Sequence, residues 1–254
     1  CGNASLGHYV DQTGQSSQTA CLAGTYNPNT GSTSSSACAD ADAGYYVPTT
    51  GQSSQTACLA GTYNPNAGST RSVDCLESIV GYYVPTSGQS SQTACSAGTY
   101  QPDTGQDDCD AAGLGYYAPT TGQSSQTACA VGTYQDTAGQ ISCDNADAGS
   151  YVDQTGQSSQ TACAVGTYQA TVGQSSCGDA DAGSYVPTTG QSSQTACAAG
   201  TFQDTAGQIS CDNADAGSYV DQTGQSTQTA CAAGTFQATV GQSSCGDADA
   251  GSYV

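Results

Sequence analysis

Residues 182–215 decide the reading of this chain. They divide into two stretches of 17. The first is Ala182-Gly183-Ser184-Tyr185-Val186-Pro187-Thr188-Thr189-Gly190-Gln191-Ser192-Ser193-Gln194-Thr195-Ala196-Cys197-Ala198. The second is Ala199-Gly200-Thr201-Phe202-Gln203-Asp204-Thr205-Ala206-Gly207-Gln208-Ile209-Ser210-Cys211-Asp212-Asn213-Ala214-Asp215. Both open on a small residue, Gly, a hydroxyl residue and an aromatic, and both carry a later Gly-Gln followed within two residues by Ser. The cysteine is sixteenth in the first and thirteenth in the second. Self-similarity at a short fixed period is the mark of a repeat architecture.

The pattern extends in both directions. One aromatic recurs at Tyr9, Tyr26, Tyr46, Tyr63, Tyr83, Tyr100, Tyr117, Tyr134, Tyr151, Tyr168, Tyr185, Phe202, Tyr219, Phe236 and Tyr253. The spacing is 17 except for two steps of 20, Tyr26 to Tyr46 and Tyr63 to Tyr83. Residues 130–186 and 198–254 differ at five positions, all conservative, so a longer period of 68 overlies the short one. Residues 1–254 thus read as one continuous tandem-repeat array. It opens on Cys1 and stops at Val254 inside a repeat at either end, and a segment of a longer chain is expected.

Gly and Pro recur too often for helix, and no apolar stripe has helical spacing. Ser-Tyr-Val-Pro-Thr-Thr-Gly-Gln-Ser-Ser reads as a short strand, a turn at Pro-Thr-Thr-Gly and a second short strand. The fold class expected is all-β with little secondary structure: an elongated, disulfide-laddered rod of small hairpins, in half-repeats of 17 and units of 34 residues. A β-solenoid is the alternative, with coils about 4.8 Å apart, against about 10–15 Å per self-contained hairpin. The chain has no Trp or Met and two Phe. The periodic aromatic is therefore the large side chain available for packing, and an aromatic ladder is expected as the core.

Composition bounds the function. A chain this poor in aliphatic residues would read as disordered, but it has 15 cysteines, and small units lacking a core are stapled by disulfides in oxidising compartments. An extracellular location is expected. Net charge is −20, from 21 acidic residues against Arg71 alone, with no Lys. Nucleic-acid binding needs Lys or Arg at phosphates and is excluded, and attachment to an anionic membrane surface is disfavoured. No apolar run reaches the length of a membrane span.

Separations between cysteines alternate between 20 and a shorter step of 17 or 14. Two regular pairings exist. One joins Cys21–Cys38, Cys58–Cys75, Cys95–Cys109, Cys129–Cys143, Cys163–Cys177, Cys197–Cys211 and Cys231–Cys245, and leaves Cys1 over. The other starts at Cys1–Cys21 and leaves Cys245 over. The first is preferred, because both three-residue insertions then fall inside a closed loop, where added length costs little.

Cys163-Ala164-Val165-Gly166-Thr167-Tyr168, with Gly173-Gln174-Ser175-Ser176-Cys177, resembles the ephrin-receptor-like cysteine-rich repeat, a family similar in style to tumour-necrosis-factor-receptor modules. The resemblance implies a disulfide-laddered rod with little regular secondary structure, and it supports the Cys163–Cys177 kind of bridge. Units of that family carry two cysteines three apart, whereas each half here keeps one.

Catalysis finds little material. His8 is the sole histidine and Lys is absent, so a general base near neutral pH is restricted to carboxylates. A non-enzymatic protein is expected. Zinc is disfavoured without Cys-x-x-Cys. Calcium is the one cofactor the acidic residues suggest, through Asp144, Asp147, Asp179, Asp181, Asp212 and Asp215. Each cluster supplies two or three oxygen donors where six to eight are needed, so the competing reading is a solvated turn with Asp capping backbone amides. Asn3-Ala4-Ser5 is a sequon, and Thr49, Thr50, Thr120, Thr121, Thr188 and Thr189 beside Pro are O-glycan candidates. The function expected is a structural extracellular fibre or rod carrying covalent glycans, partnered by copies of itself or the rest of a long repeat chain. The alternative is a stalk, adhesin or receptor ectodomain presenting a tip outside residues 1–254.

Overall fold

Each half begins with a tight turn that its sequence requires. In Ala164-Val165-Gly166-Thr167 the Thr167 amide donates to Ala164 O at 3.1 Å, and Gly166 sits at φ +80° in the third position. A turn with positive φ there takes Gly because a Cβ would clash with the chain's own backbone. Asp181-Ala182-Gly183-Ser184 repeats the arrangement, with Gly183 at φ +85°. The hydroxyl after Gly adds a bond where it is Thr, as in Thr167 Oγ1 to Ala164 O at 2.9 Å. This accounts for the small-Gly-hydroxyl-aromatic opening.

A computed structural model of the chain describes residues 2–250; Cys1 and Tyr253, which carried expectations above, lie outside them. After each turn, two residues form a strand that pairs antiparallel with two residues further on. In type A hairpins Ser184 faces Ala196 and Tyr185 faces Thr195; in type B, Thr201 faces Asn213 and Phe202 faces Asp212. Fourteen such two-stranded sheets alternate A and B along the described residues. Pairing stays within two strands, apart from one isolated parallel bridge between Tyr100 and Gln123. The β-solenoid alternative, which needs a ladder running through successive coils, is not adopted. The chain is a mostly-β tandem repeat of small hairpins. In the two 17-residue cysteine loops, the insertion forms a 3₁₀ turn, Ser35–Ala37 and Ser72–Asp74.

The described residues form two compact units, one of those up to 113 with 117–127 and 138–141, the other of 114–116 with 128–137 and those from 142 on. Within each, a hairpin is bonded to the next and to the next but one. In the first unit Gly24 N donates to Val47 O at 2.9 Å, one hairpin on, and Gly68 N donates to Ala41 O at 2.8 Å, two hairpins back. In the second unit Gly166 N donates to Val186 O at 2.9 Å and Gly173 N to Ala146 O at 2.7 Å. The hairpins are therefore not self-contained beads.

The core corrects the expected aromatic ladder. Val47, Val84, Val186, Cys163, Ala146 and Ala180 are fully shielded, whereas the periodic tyrosines among the described residues are half-buried and Phe236 is 45% exposed. Two positions per half line the interior: Val or Ala after the aromatic of A with Cys after its return strand, and an amide residue with Ala or Ser at the same places in B. The reason is the close backbone approach. Where a tip glycine's amide reaches a carbonyl two hairpins away, the residue that offers the carbonyl is Cys, Ala or Ser, and the tyrosine rings stay half-buried.

Candidate functional site

Because A hairpins end on a buried cysteine, the bridge falls at the A–B corner. The structure joins Cys21–Cys38, Cys58–Cys75, Cys95–Cys109, Cys129–Cys143, Cys163–Cys177, Cys197–Cys211 and Cys231–Cys245. Cα separations run from 5.6 to 5.8 Å, in the range a disulfide spans without backbone movement. Each bridge ties the entry of a B hairpin to the start of its return strand, so every second hairpin is stapled. Constraining a loop of 14 or 17 residues stabilises by about 3 kcal/mol in the loop-entropy account.

The residue after the B aromatic was not singled out from sequence, yet it is a structural hub. Gln135 is 4% exposed; its Oε1 accepts from Thr137 N at 3.0 Å and its Nε2 donates to Ser142 O at 2.9 Å. Gln101, Gln169, Gln203 and Gln237 likewise reach a carbonyl seven residues on. Both 17-residue loops carry Asn instead. Asn27 and Asn64 turn their Nδ2 to His8 O and Tyr45 O on the preceding hairpin, each at 3.0 Å. The longer Gln spans its own short loop, and the 3₁₀ insertion removes the need to. The signal was present as a strict match between Asn or Gln and loop length.

The calcium candidates fall in two environments. Asp144, Asp179 and Asp212 sit exposed on return strands. Asp147, Asp181 and Asp215 stand at the following turn and are gripped by a glutamine 13 residues on. Gln160 Oε1 accepts from Asp147 N at 2.6 Å while its Nε2 donates to Asp147 Oδ2 at 2.5 Å. Gln194 and Gln228 do the same for Asp181 and Asp215, and Gln55 for Asp42. Among the described residues no three His, Cys, Asp or Glu side chains converge.

Among the described residues, two groups are electrostatically displaced. Burial of the Tyr134 ring, with Asp147, Asp136 and Asp144 nearby, raises its phenol above the ordinary value of 10.0. The Arg71 backbone amide holds the Asp74 carboxyl below 3.8, helped by the Arg71 side chain at 3.2 Å and opposed by partial burial. His8 Nδ1 lies 2.9 Å from Leu6 O and 3.2 Å from Ser5 Oγ, so it closes a local turn.

Glycan candidates are all on the surface. Asn3 is exposed and lines an open recess with Asp11, Gln15, Gly31 and Ser32. In the Pro-Thr-Thr tips the first hydroxyl accepts from a glutamine: Thr49 from Gln52 at 2.8 Å, Thr120 from Gln123 at 2.6 Å, Thr188 from Gln191 at 2.8 Å. Thr50, Thr121 and Thr189 are exposed beside them.

No helix among the described residues is long and apolar enough to cross a membrane. No protein-family model and no curated protein sequence matches this chain.

Proposed function

We propose that this chain is a non-catalytic structural protein of the extracellular space, a rod or fibre segment that bears load along its repeats. The observation that carries the reading is the backbone hydrogen bonding of each hairpin to the next and the next but one, with a disulfide in every second hairpin. Such an arrangement resists extension because no hairpin can open without disturbing its neighbours on both sides. The resemblance of the Cys163–Cys177 stretch to ephrin-receptor-like repeats fits the same reading, as does a net charge of −20 that opposes collapse. Glycans on Asn3 and on the Pro-Thr-Thr tips would extend that solvated surface, since those side chains project to solvent.

Single-molecule extension of the 254-residue chain tests this. With disulfides intact, each bridge should hide its loop from the contour. A reductant should then release seven loops of 14 or 17 residues, each residue adding about 3.4 Å. Extension at negligible force, as for a disordered linker, would contradict a load-bearing role. An intact mass of native material equal to the bare 25.0 kDa chain would remove the glycans from the account.

A further inference from the structure

One hairpin departs from the rest. In the B hairpin formed by Thr62–Tyr63 and Leu76–Glu77 and the turn that follows it, Leu59 is 74% exposed, as Leu22 at the same place earlier is 72%, and Val73 is 68%, Ile79 51%, Leu76 46% and Val80 42% exposed. At the places of Leu59, Leu76 and Ile79 the corresponding later hairpin has Ala130, Asp144 and Asp147. The apolar residues belong together. Leu59 and Leu76 each follow a cysteine of the Cys58–Cys75 bridge, whose Cα atoms are 5.6 Å apart. The corners at Leu59 and Ile79 flank the bond from Ser78 N to Gly61 O at 2.9 Å. Ile79 also removes the carboxylate that glutamine grips elsewhere, leaving Gln92 bonded to the Ile79 amide.

Carboxylates stand on this hairpin and against it. Asp74 and Glu77 lie within the hairpin, Asp40 approaches its tip at Gly68, and Glu77 accepts from Thr104, next to Asp103. Arg71, the only cation of its kind in the chain, is tied to Asp74 at 3.2 Å. Concentrated exposed apolar side chains with a polar rim mark interaction sites, and scattered single ones do not. We propose that the corner of this hairpin is a docking surface for a cationic amphipathic segment of a partner protein. Apolar side chains of the partner cover Leu59, Leu76 and Ile79, and its Lys or Arg side chains meet those carboxylates. A second copy of this chain would bring like charge against like charge, −20 on each side.

The test uses the whole chain and a fluorescent dodecapeptide of alternating leucine and lysine, read by anisotropy. The comparison is the L59A/L76D/I79D variant, built of residues that the later hairpin carries at the same places, with its fold checked by circular dichroism. That variant has two more carboxylates, so attraction by charge alone would tighten binding. The proposal expects binding at least about tenfold weaker, since truncating central apolar anchors removes most of an interface's affinity. A single L59A variant should weaken it less, in the same direction. A lysine–serine peptide of equal charge should bind weakly to both proteins. Equal or tighter binding of the leucine–lysine peptide to the triple variant would overturn the proposal. Patch-dependent dimers in sedimentation that the peptide fails to compete away would also overturn it, in favour of self-association.

Discussion

Replacing Gly24 by alanine should damage this protein in two separable ways. Gly24 has φ +86°, a left-handed conformation that costs an L-residue about 1–2 kcal/mol. An added Cβ would also stand 2.6 Å from the carbonyl oxygen of Gly68 and 3.1 Å from Thr70 Cγ2. Both belong to the hairpin two further on, and backbone cannot rotate away as a side chain can. Forcing the hairpins apart adds about 1–3 kcal/mol of overpacking and stretches the bond from Gly68 N to Ala41 O. Gly14 isolates the first effect, because it has φ +82° with nothing within 4 Å of an added Cβ. Gly14→Ala should therefore cost about 1–2 kcal/mol and Gly24→Ala about 2–5. Urea denaturation gives the two costs, and amide exchange at Gly68 shows whether the distant contact loosens. Equal costs, with Gly68 exchange unchanged in Gly24→Ala, would refute the close stacking of alternate hairpins.

Three further outcomes follow from the same contacts. Gln135→Ala should destabilise by about 1–3 kcal/mol in thermal or urea unfolding, because it leaves the Thr137 amide and the Ser142 carbonyl without their partner. Asp74 is held below 3.8 in the folded chain, so its contribution is present above the unfolded value and is lost as pH falls through the folded one. NMR titration of its carboxyl should find the midpoint below 3.8, and Asp74→Asn should flatten the acid limb of stability. Removing divalent cations with a chelator should leave the melting temperature unchanged, since Asp147, Asp181 and Asp215 are already held by glutamines; a fall would point to calcium at these turns.

The short period carried much of the fold in its letters. Glycine at fixed places announces the entry turns and tips, and Pro-Thr-Thr-Gly announces the bend of an A hairpin. The stacking left no such mark, because it is made by main-chain groups such as Gly173 N and Ala146 O, which every residue possesses. That omission also misdirected the core: a chain with few large side chains suggested rings packing on rings, whereas close backbone contact favours Val186, Cys163 and Ala180. The glutamine that grips Asp147 was hidden in a polar Ser-Ser-Gln-Thr run whose letters equally suit a solvated loop. The exchange of Asn for Gln with loop length was readable, but its meaning needed the carbonyl seven residues away.

Native-state hydrogen exchange at the tip glycines tests the stacked array most directly. Gly173, Gly190 and Gly207 lie at hairpin tips, where a free-standing hairpin would leave the amide to water. Here their amides donate to Ala146 O at 2.7 Å, Cys163 O at 2.9 Å and Ala180 O at 2.8 Å, each two hairpins back. They should exchange at least about 100-fold more slowly than the same amides in an unstructured peptide, with protection falling together when a neighbouring hairpin is destabilised. Exchange at unstructured-peptide rates, with the strand amides still protected, would mean that the hairpins fold without stacking, and the account would fail.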